Sequence, residues 1–221
     1  MRLLRSYVGH MTQLIMNKVI HGAVRRDLDR FVGALSGFPV GDVDRAQALG
    51  RAWDNFDFQL TDHHEGEHRI AWPALELVGV SRELLTTLDR EHDAMAAALA
   101  EARAAMAALR SSPTADAAAA AHAAFTTLRS VTIDHLDHEE AETEPVYLEK
   151  LDTPELQAMY KQFRRDTSAK QAGAFFAWVL DGASEAELQT IRGDAPGPVL
   201  AILTGLFGRR YKRDVASVWA A

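Results

Sequence analysis

The sequence predicts an all-α protein organised as an up-down-up-down four-helix bundle. Strand signals are nearly absent, while apolar residues recur at three- and four-residue spacing among Ala, Leu, Arg and Glu. The motif Asp-His-x-x-x-Glu occurs twice, with His63 and His135 separated by 72 positions. A further histidine precedes each motif, and these two, His21 and His92, are 71 positions apart. The repeated unit therefore has the length of a helical hairpin, and two such hairpins form a four-helix bundle.

The first two helices are delimited by breaker and capping residues. We expect the first helix to run from about Tyr7 to Leu35, where Ser, Gly and Pro at positions 36–39 end it. Asp42 is a suitable N-cap for the second helix, which carries the first motif. Pro73 marks a kink in this helix or its end.

The third and fourth helices repeat the pattern. Gly79 turns the chain, and Ser81 is the expected N-cap of a third helix that reaches about Leu109. Ser112 is the expected N-cap of the fourth helix, because the proline that follows it suits the first helical position. This helix carries the second motif and is expected to reach about Tyr147.

The remaining chain has a different pattern of shorter helices. Thr153 and Pro154 begin one, Ser184 and Glu187 form a capping-box signature, and prolines interrupt the chain again at 196–198. We therefore divide the chain into a bundle, residues 1–150, and a helical extension, residues 151–221. The aromatic residues of the extension are expected to pack on the bundle or on a partner subunit, which leaves a homodimer open.

Composition excludes several classes of function. The formal charge of −7 and the pI of 5.7 disfavour nucleic-acid binding, because a polyanion would meet an acidic surface. The absence of cysteine excludes disulfides, thiolate ligands and iron–sulfur clusters. The longest apolar stretch near the C-terminus, 199–207, is too short to span a membrane, and the N-terminus lacks the apolar run of a secretory signal. We expect a soluble, cytoplasmic protein whose partner is a small molecule.

The repeated motifs predict a metal site. Residues at positions i and i+4 lie on one face of a helix, so each His/Glu pair can present an imidazole and a carboxylate to one cation. Two pairs favour two cations, and nitrogen and oxygen ligands suit iron, manganese, zinc or copper. The predicted ligands are His21, His63, Glu67, His92, His135 and Glu139.

The sequence does not decide whether three further histidines also bind metal, or whether the predicted ligands are buried. His64 and His68 also form an i, i+4 pair, and either of them or His138 could compete as a ligand or orient one. His63 with Glu67 is preferred because this pair alone is matched at the same offset in the second motif. The alternative is that all these residues lie on solvated helix faces.

From about residue 12 to 150 the sequence resembles the hemerythrin-like proteins, specifically the hemerythrin HHE cation-binding group. The resemblance rests on His21 in the first helix, on His63-His64-Glu65-Gly66-Glu67 before Trp72-Pro73, on Glu91-His92, and on His135-Leu-Asp-His138-Glu139. It implies a non-haem di-iron centre in the bundle core, with two iron ions joined by an oxo or hydroxo bridge, ahead of manganese or zinc. It also implies that the glutamates bridge the irons and that the ligand is O₂, NO or peroxide.

The sequence departs from the oxygen-carrying hemerythrins at one ligand position. Those proteins use five histidines and two carboxylates, and the place of the extra histidine is taken here by Ala96. Reversible oxygen carriage is therefore disfavoured relative to peroxide or nitric oxide chemistry. A di-iron oxidase, a peroxide-dismutating enzyme and an iron or redox sensor are the alternatives, with Gln59, His64 or Tyr147 as candidates for the distal side of the site.

Overall fold

A computed structural model describes residues 14–220, which are largely helical and contain no strand within that range. Four long helices form a bundle: α1 (Met16–Ser36), α2 (Val43–Gly66), α4 (Arg82–Ser111) and α5 (Ala115–Lys150), with α3 (Trp72–Leu77) following α2. Helix α1 contacts α2 and α5, and α4 contacts the same two helices. The all-α bundle is thus confirmed. The predicted helix start at Tyr7 lies outside the described residues.

Capping side chains set most of the helix starts that the sequence predicts. Asp42 and Ser81 each accept a hydrogen bond from the backbone N–H three residues later, at 2.8 and 3.2 Å. The predicted cap of the fourth bundle helix is wrong: Thr114, not Ser112, accepts the corresponding bond. Ser112 instead ends α4, because its backbone N–H donates to the carbonyl of Ala108 at 2.9 Å.

A π-helical segment, Glu67–Ala71, connects α2 to α3. Pro73 follows it in the first turn of α3. Proline has no N–H, and its ring clashes with the carbonyl four residues earlier, so a wider turn before it relieves the backbone. The kink or helix end predicted at Pro73 takes this form, whereas Pro145, its counterpart in the repeat, lies within the unbroken α5. Single π-helical turns are frequent at functional sites.

The C-terminal helices lie against the first half of the bundle. They are α6 (Pro154–Asp166), α7 (Ala169–Val179), α8 (Glu185–Asp194), α9 (Gly197–Leu206), α10 (Arg209–Tyr211) and α11 (Ser217–Trp219), with a π-helical turn, Lys212–Ala216, before α11. Helix α6 contacts α3, α7 and α8 contact α1, and α11 contacts α2. The buried indole of Trp178 donates a hydrogen bond to the carboxylate of Asp27 on α1, at 2.8 Å. The division of the chain after residue 150 stays a prediction.

Two clusters of buried apolar residues make up the core, and they occupy different stretches of the bundle helices. The larger cluster includes Phe31, Leu60 and Leu99, and the smaller one includes Ile70 and Leu88. On α2 and its extension, and again on α4, the predicted metal ligands fall between the residues of one cluster and those of the other. The fold therefore places a polar layer inside the bundle. None of the helices within residues 14–220 is long and apolar enough to cross a membrane.

Candidate metal centre

The six predicted ligands converge in the polar layer of the bundle. Helix α1 supplies one of them, α2 and the π-helical segment supply two, α4 supplies one and α5 supplies two. His21, Glu67, His135 and Glu139 are at most 3% exposed. The side chains of His63 and His92 are 7% and 12% exposed. The alternative of solvated helix faces is therefore wrong for these residues.

The imidazoles meet in two pairs, one from each half of the repeat. His21 Nε2 lies 3.1 Å from His63 Nε2, and His92 Nε2 lies 3.0 Å from His135 Nε2. Two nitrogen lone pairs repel at this distance unless a proton or a cation lies between them. Ligands that share a metal at bond lengths of about 2.1 Å lie about 3 Å apart, so this spacing suits a shared cation.

The two glutamates connect the imidazole pairs. Glu67 Oε1 lies 3.1 Å from His63 Nε2, and Glu67 Oε2 lies 3.5 Å from His92 Nε2. Glu139 Oε2 lies 3.4 Å from His21 Nε2 and 3.6 Å from His135 Nε2. Each carboxylate thus reaches one imidazole of its own half and one of the other half. A carboxylate in this position can bridge two cations.

Several buried atoms of this layer have no hydrogen-bond partner in the described part of the chain. They are both carboxylate oxygens of Glu67, Glu139 Oε2 and His64 Nε2. Burying such groups without partners costs several kcal/mol each for a charge and about 1–3 kcal/mol for a neutral polar group. Nitrogen and oxygen donors that converge in this way suit a transition-metal ion, so the residues fit the metal that the sequence predicts.

His64 joins the centre although it has no partner in the repeat. Its ring stacks on His92 with centroids 4.3 Å apart. Two groups of side chains could each hold a metal ion: His21, His63, Glu67 and Glu139 form one, and His64, His92 and His135 form the other. The counterpart of His64 in the second motif is Leu136, which is buried in the larger apolar cluster. His64 was left open in the sequence, where its signals were the His-His doublet, the i, i+4 pair with His68 and the ligand place taken by Ala96.

The other open histidines lie outside both groups. His68 is largely exposed and is paired with Asp89 at 3.2 Å. The Nδ1 atom of His138 lies 2.7 Å from a carboxylate oxygen of Glu91. The remaining distal candidates, Gln59 and Tyr147, are both buried and line a cavity beside Glu67.

Three polar residues to which no role was assigned from the sequence orient the predicted ligands. Glu140 Oε1 lies 3.0 Å from His21 Nδ1, and Glu91 Oε2 lies 2.8 Å from His135 Nδ1. These carboxylates accept from Nδ1–H, which leaves the Nε2 lone pair directed at the centre. Asn17 donates to Glu139 Oε1 at 2.8 Å and leaves Oε2 facing the imidazoles. A sequence signal existed for the carboxylates, since each lies next to a predicted ligand.

Burial and neighbouring charges together set the pKa values of the histidines. Burial and the neighbouring imidazoles hold the pKa of His63 well below its ordinary value. Burial and His135 lower the pKa of His92 to about 4. For His135 the effect of burial is outweighed by Glu139 and Glu91, which raise its pKa. In the metal-free protein, two of these imidazoles are therefore neutral at pH 7, which is the form that binds metals.

The pKa values of the two glutamates are shifted in opposite directions, although both side chains are buried in the same layer. Burial, together with the charge of Glu139, raises the pKa of Glu67 well above its ordinary value. Burial also opposes ionisation of Glu139, but His21, His135 and the hydrogen bond from Asn17 outweigh it and lower the pKa to about 2. Without a cation, the layer therefore stabilises one carboxylate charge and disfavours the second.

Comparison with known proteins identifies the domain that contains this centre. The family model of the hemerythrin HHE cation-binding domain matches residues 18–147, which is more than half of the chain and includes all six predicted ligands. Searches of curated proteins and of solved structures found no match. The family resemblance seen in the sequence is confirmed. The chain belongs to the hemerythrin HHE cation-binding domain family.

Proposed function

We propose that the protein is a non-haem di-iron protein that binds or processes O₂, NO or peroxide in the core of its bundle. The proposed iron ligands are His21, His63, Glu67, His92, His135 and Glu139. One observation supports the proposal above the others. Two imidazole pairs with Nε2 atoms 3.0–3.1 Å apart are connected by two carboxylates, each of which reaches both pairs. Such a donor set suits two like metal ions a few ångströms apart.

The side chains around the ligands have identifiable roles in this proposal. Two iron ions, when bound, supply a redox-active pair that can take up a small ligand. Glu140 and Glu91 hold His21 and His135 in the tautomer that presents Nε2. The apolar clusters on either side of the layer restrict its contact with water.

His64 is proposed as a further ligand of the position formed by His92 and His135. It stacks on His92, and its Nε2 is buried without a hydrogen-bond partner among residues 14–220. Ala96 lies where oxygen-carrying hemerythrins have an additional imidazole, and His64 can supply that imidazole from another helix. The two metal positions then differ in their ligands.

An enzyme is the second candidate function, and one observation favours it. A cavity of about 270 Å³ adjoins His63 and Glu67, so a molecule larger than O₂ has room beside the centre. Steady evolution of oxygen from added peroxide would indicate a peroxide-dismutating enzyme. Binding of NO or azide without turnover would indicate a binding protein.

Metal analysis tests the proposed function first. Protein purified from iron-supplied cells is expected to contain about two iron ions per chain, because each imidazole pair supplies ligands to one metal position. Its near-ultraviolet and visible absorption is expected to change when azide, NO or peroxide is added. Fewer than about one metal ion per chain would contradict the proposal, because the buried carboxylates would then lack the cations invoked to satisfy them.

Replacing His64 tests its proposed role as a seventh ligand, in addition to the six already named. His64→Leu introduces the residue that the repeat has at position 136. We expect about 10- to 100-fold weaker binding of the iron held by His92 and His135, with little change for the iron held by His21 and His63. His68→Leu is the matched control, because His68 is exposed and paired with Asp89. Metal affinities measured by competition with a chelator distinguish the two variants. Equal affinities in both would remove His64 from the ligand set.

The metal-free protein should respond in opposite directions to neutral replacements of the two glutamates. The raised pKa of Glu67 means that its ionisation disfavours folding once the pH exceeds the unfolded pKa near 4.5. Glu67→Gln removes this unfavourable contribution, so at pH 7 we expect the free energy of unfolding and the Tm of the metal-stripped protein to rise.

Glu139→Gln is the matched comparison. The lowered pKa of Glu139 means that its charge stabilises the fold above the unfolded pKa, and that this stability is lost as the pH falls toward 2. The variant should therefore unfold at a lower temperature than the wild type at pH 7, while both variants bind less iron. Thermal unfolding of metal-stripped protein measures this, and a shift of both variants in one direction would contradict the charge assignment.

A further inference from the structure

The cavity beside the metal centre lies between the bundle and the C-terminal helices. Its volume is about 270 Å³, and His63 and Glu67 form part of its wall. The opposite wall comes from α6 and α7, with Phe163 and Phe175 among its residues. These two helices lie outside residues 18–147, the part matched by the family model. The extension therefore adds a chamber to the centre.

Close contact between helices holds this chamber together. A Cβ atom at Gly66 would lie 2.9 Å from the ring of Phe163, so the glycine before Glu67 lets α6 approach α2 directly. Phe176 lines the same cavity from α7 and is 8% exposed. The aromatic wall is thus packed against the element that carries the predicted ligand Glu67.

The size and lining of the cavity indicate an aromatic occupant. Flexible methionines, Met16 and Met159, complete a largely apolar wall with the phenylalanines. An apolar protein cavity of about 150 Å³ binds benzene, so a chamber of this volume has room for a substituted or fused aromatic ring. Methionine side chains adapt to such rings and make favourable contacts with them.

The polar residues of the cavity favour an uncharged hydroxyl-bearing molecule. Gln59, one turn before His63, and Tyr147 line the cavity and can exchange hydrogen bonds with a hydroxyl group. Asp62 and Asp194 also line it, and Arg164, the one arginine or lysine of its lining among residues 14–220, lies 3.7 Å from Asp194. Apart from Glu67 and the cation proposed beside it, an anionic ligand would therefore meet the carboxylates of Asp62 and Asp194 and an arginine that is already paired.

We propose that this cavity binds a small, uncharged, hydroxylated aromatic molecule of the phenol or naphthol class beside the metal centre. The proposal depends on the proposed function only in placing a metal next to the bound molecule. The contacts that bind the molecule come from the side chains that line the cavity. It assigns the C-terminal helices a role in ligand selection. It also deepens the enzyme candidate by naming the class of organic molecule that the centre would meet.

Calorimetric titration of the purified protein with 2-naphthol tests the proposal. We expect saturable binding of one molecule per chain, and at least about tenfold weaker binding of 2-naphthoate, which has the same rings and a negative charge. Absence of saturable 2-naphthol binding overturns the proposal, as does equal or tighter binding of 2-naphthoate.

Two variants locate the binding. Ala172→Trp fills the cavity from α7 and should abolish 2-naphthol binding, whereas Ala201→Trp, at an exposed position of α9, should leave it unchanged. Gln59→Leu keeps the shape of the wall and should weaken the binding of 2-naphthol about threefold to tenfold through loss of one hydrogen bond. Unchanged affinity in Gln59→Leu overturns the proposal even if Ala172→Trp does not fold.

Metal content measured on the same samples separates this proposal from the proposed function. Protein that contains iron but does not bind 2-naphthol overturns the cavity proposal alone. Protein that binds 2-naphthol with the expected response to the variants, but contains no metal, overturns the di-iron function and leaves the cavity proposal supported.

Discussion

The structure depends on the burial of two carboxylates and a set of imidazoles between two apolar clusters. Glu67 and Glu139 are almost inaccessible, and three of their four oxygens have no hydrogen-bond partner within residues 14–220. An apolar layer of the same shape would stabilise the bundle more, since buried polar atoms without hydrogen-bond partners oppose folding. Cations between the imidazole pairs would reverse this balance, because they satisfy oxygens and nitrogens together. We therefore infer that the four bundle helices are arranged to bring these carboxylates and imidazoles together in one layer.

The duplicated hairpin gives this layer an approximate twofold symmetry, which the structure breaks at specific places. His63 and His135 are equivalent, but the next residue is His64 in one half and Leu136 in the other. A π-helical segment precedes Pro73, whereas Pro145 lies in a regular helix. The cavity adjoins Glu67 and His63 and is closed by helices that have no counterpart in the repeat. The two proposed metal positions consequently differ in ligands and in access to organic molecules.

The sequence predicts much of this architecture because its signals are local or repeated. The caps Asp42 and Ser81 act within three residues, and the repeat points to candidate ligands without a structure. The sequence does not predict Thr114 as the N-cap of α5, since Ser112 and Thr114 are both suitable caps and the hydrogen bonding of α4 decides between them. His64, Asn17 and the cavity depend on how helices pack, which spacing along one helix does not encode.

The central claim is that two cations occupy the polar layer, one at each imidazole pair. An anomalous-scattering map from crystals of the purified protein, recorded at the iron absorption edge, tests it most directly. Two peaks are expected, one between His21 and His63 and one between His92 and His135, with Glu67 and Glu139 contacting both. A map without peaks at these positions, in crystals of protein shown to contain iron, would contradict it.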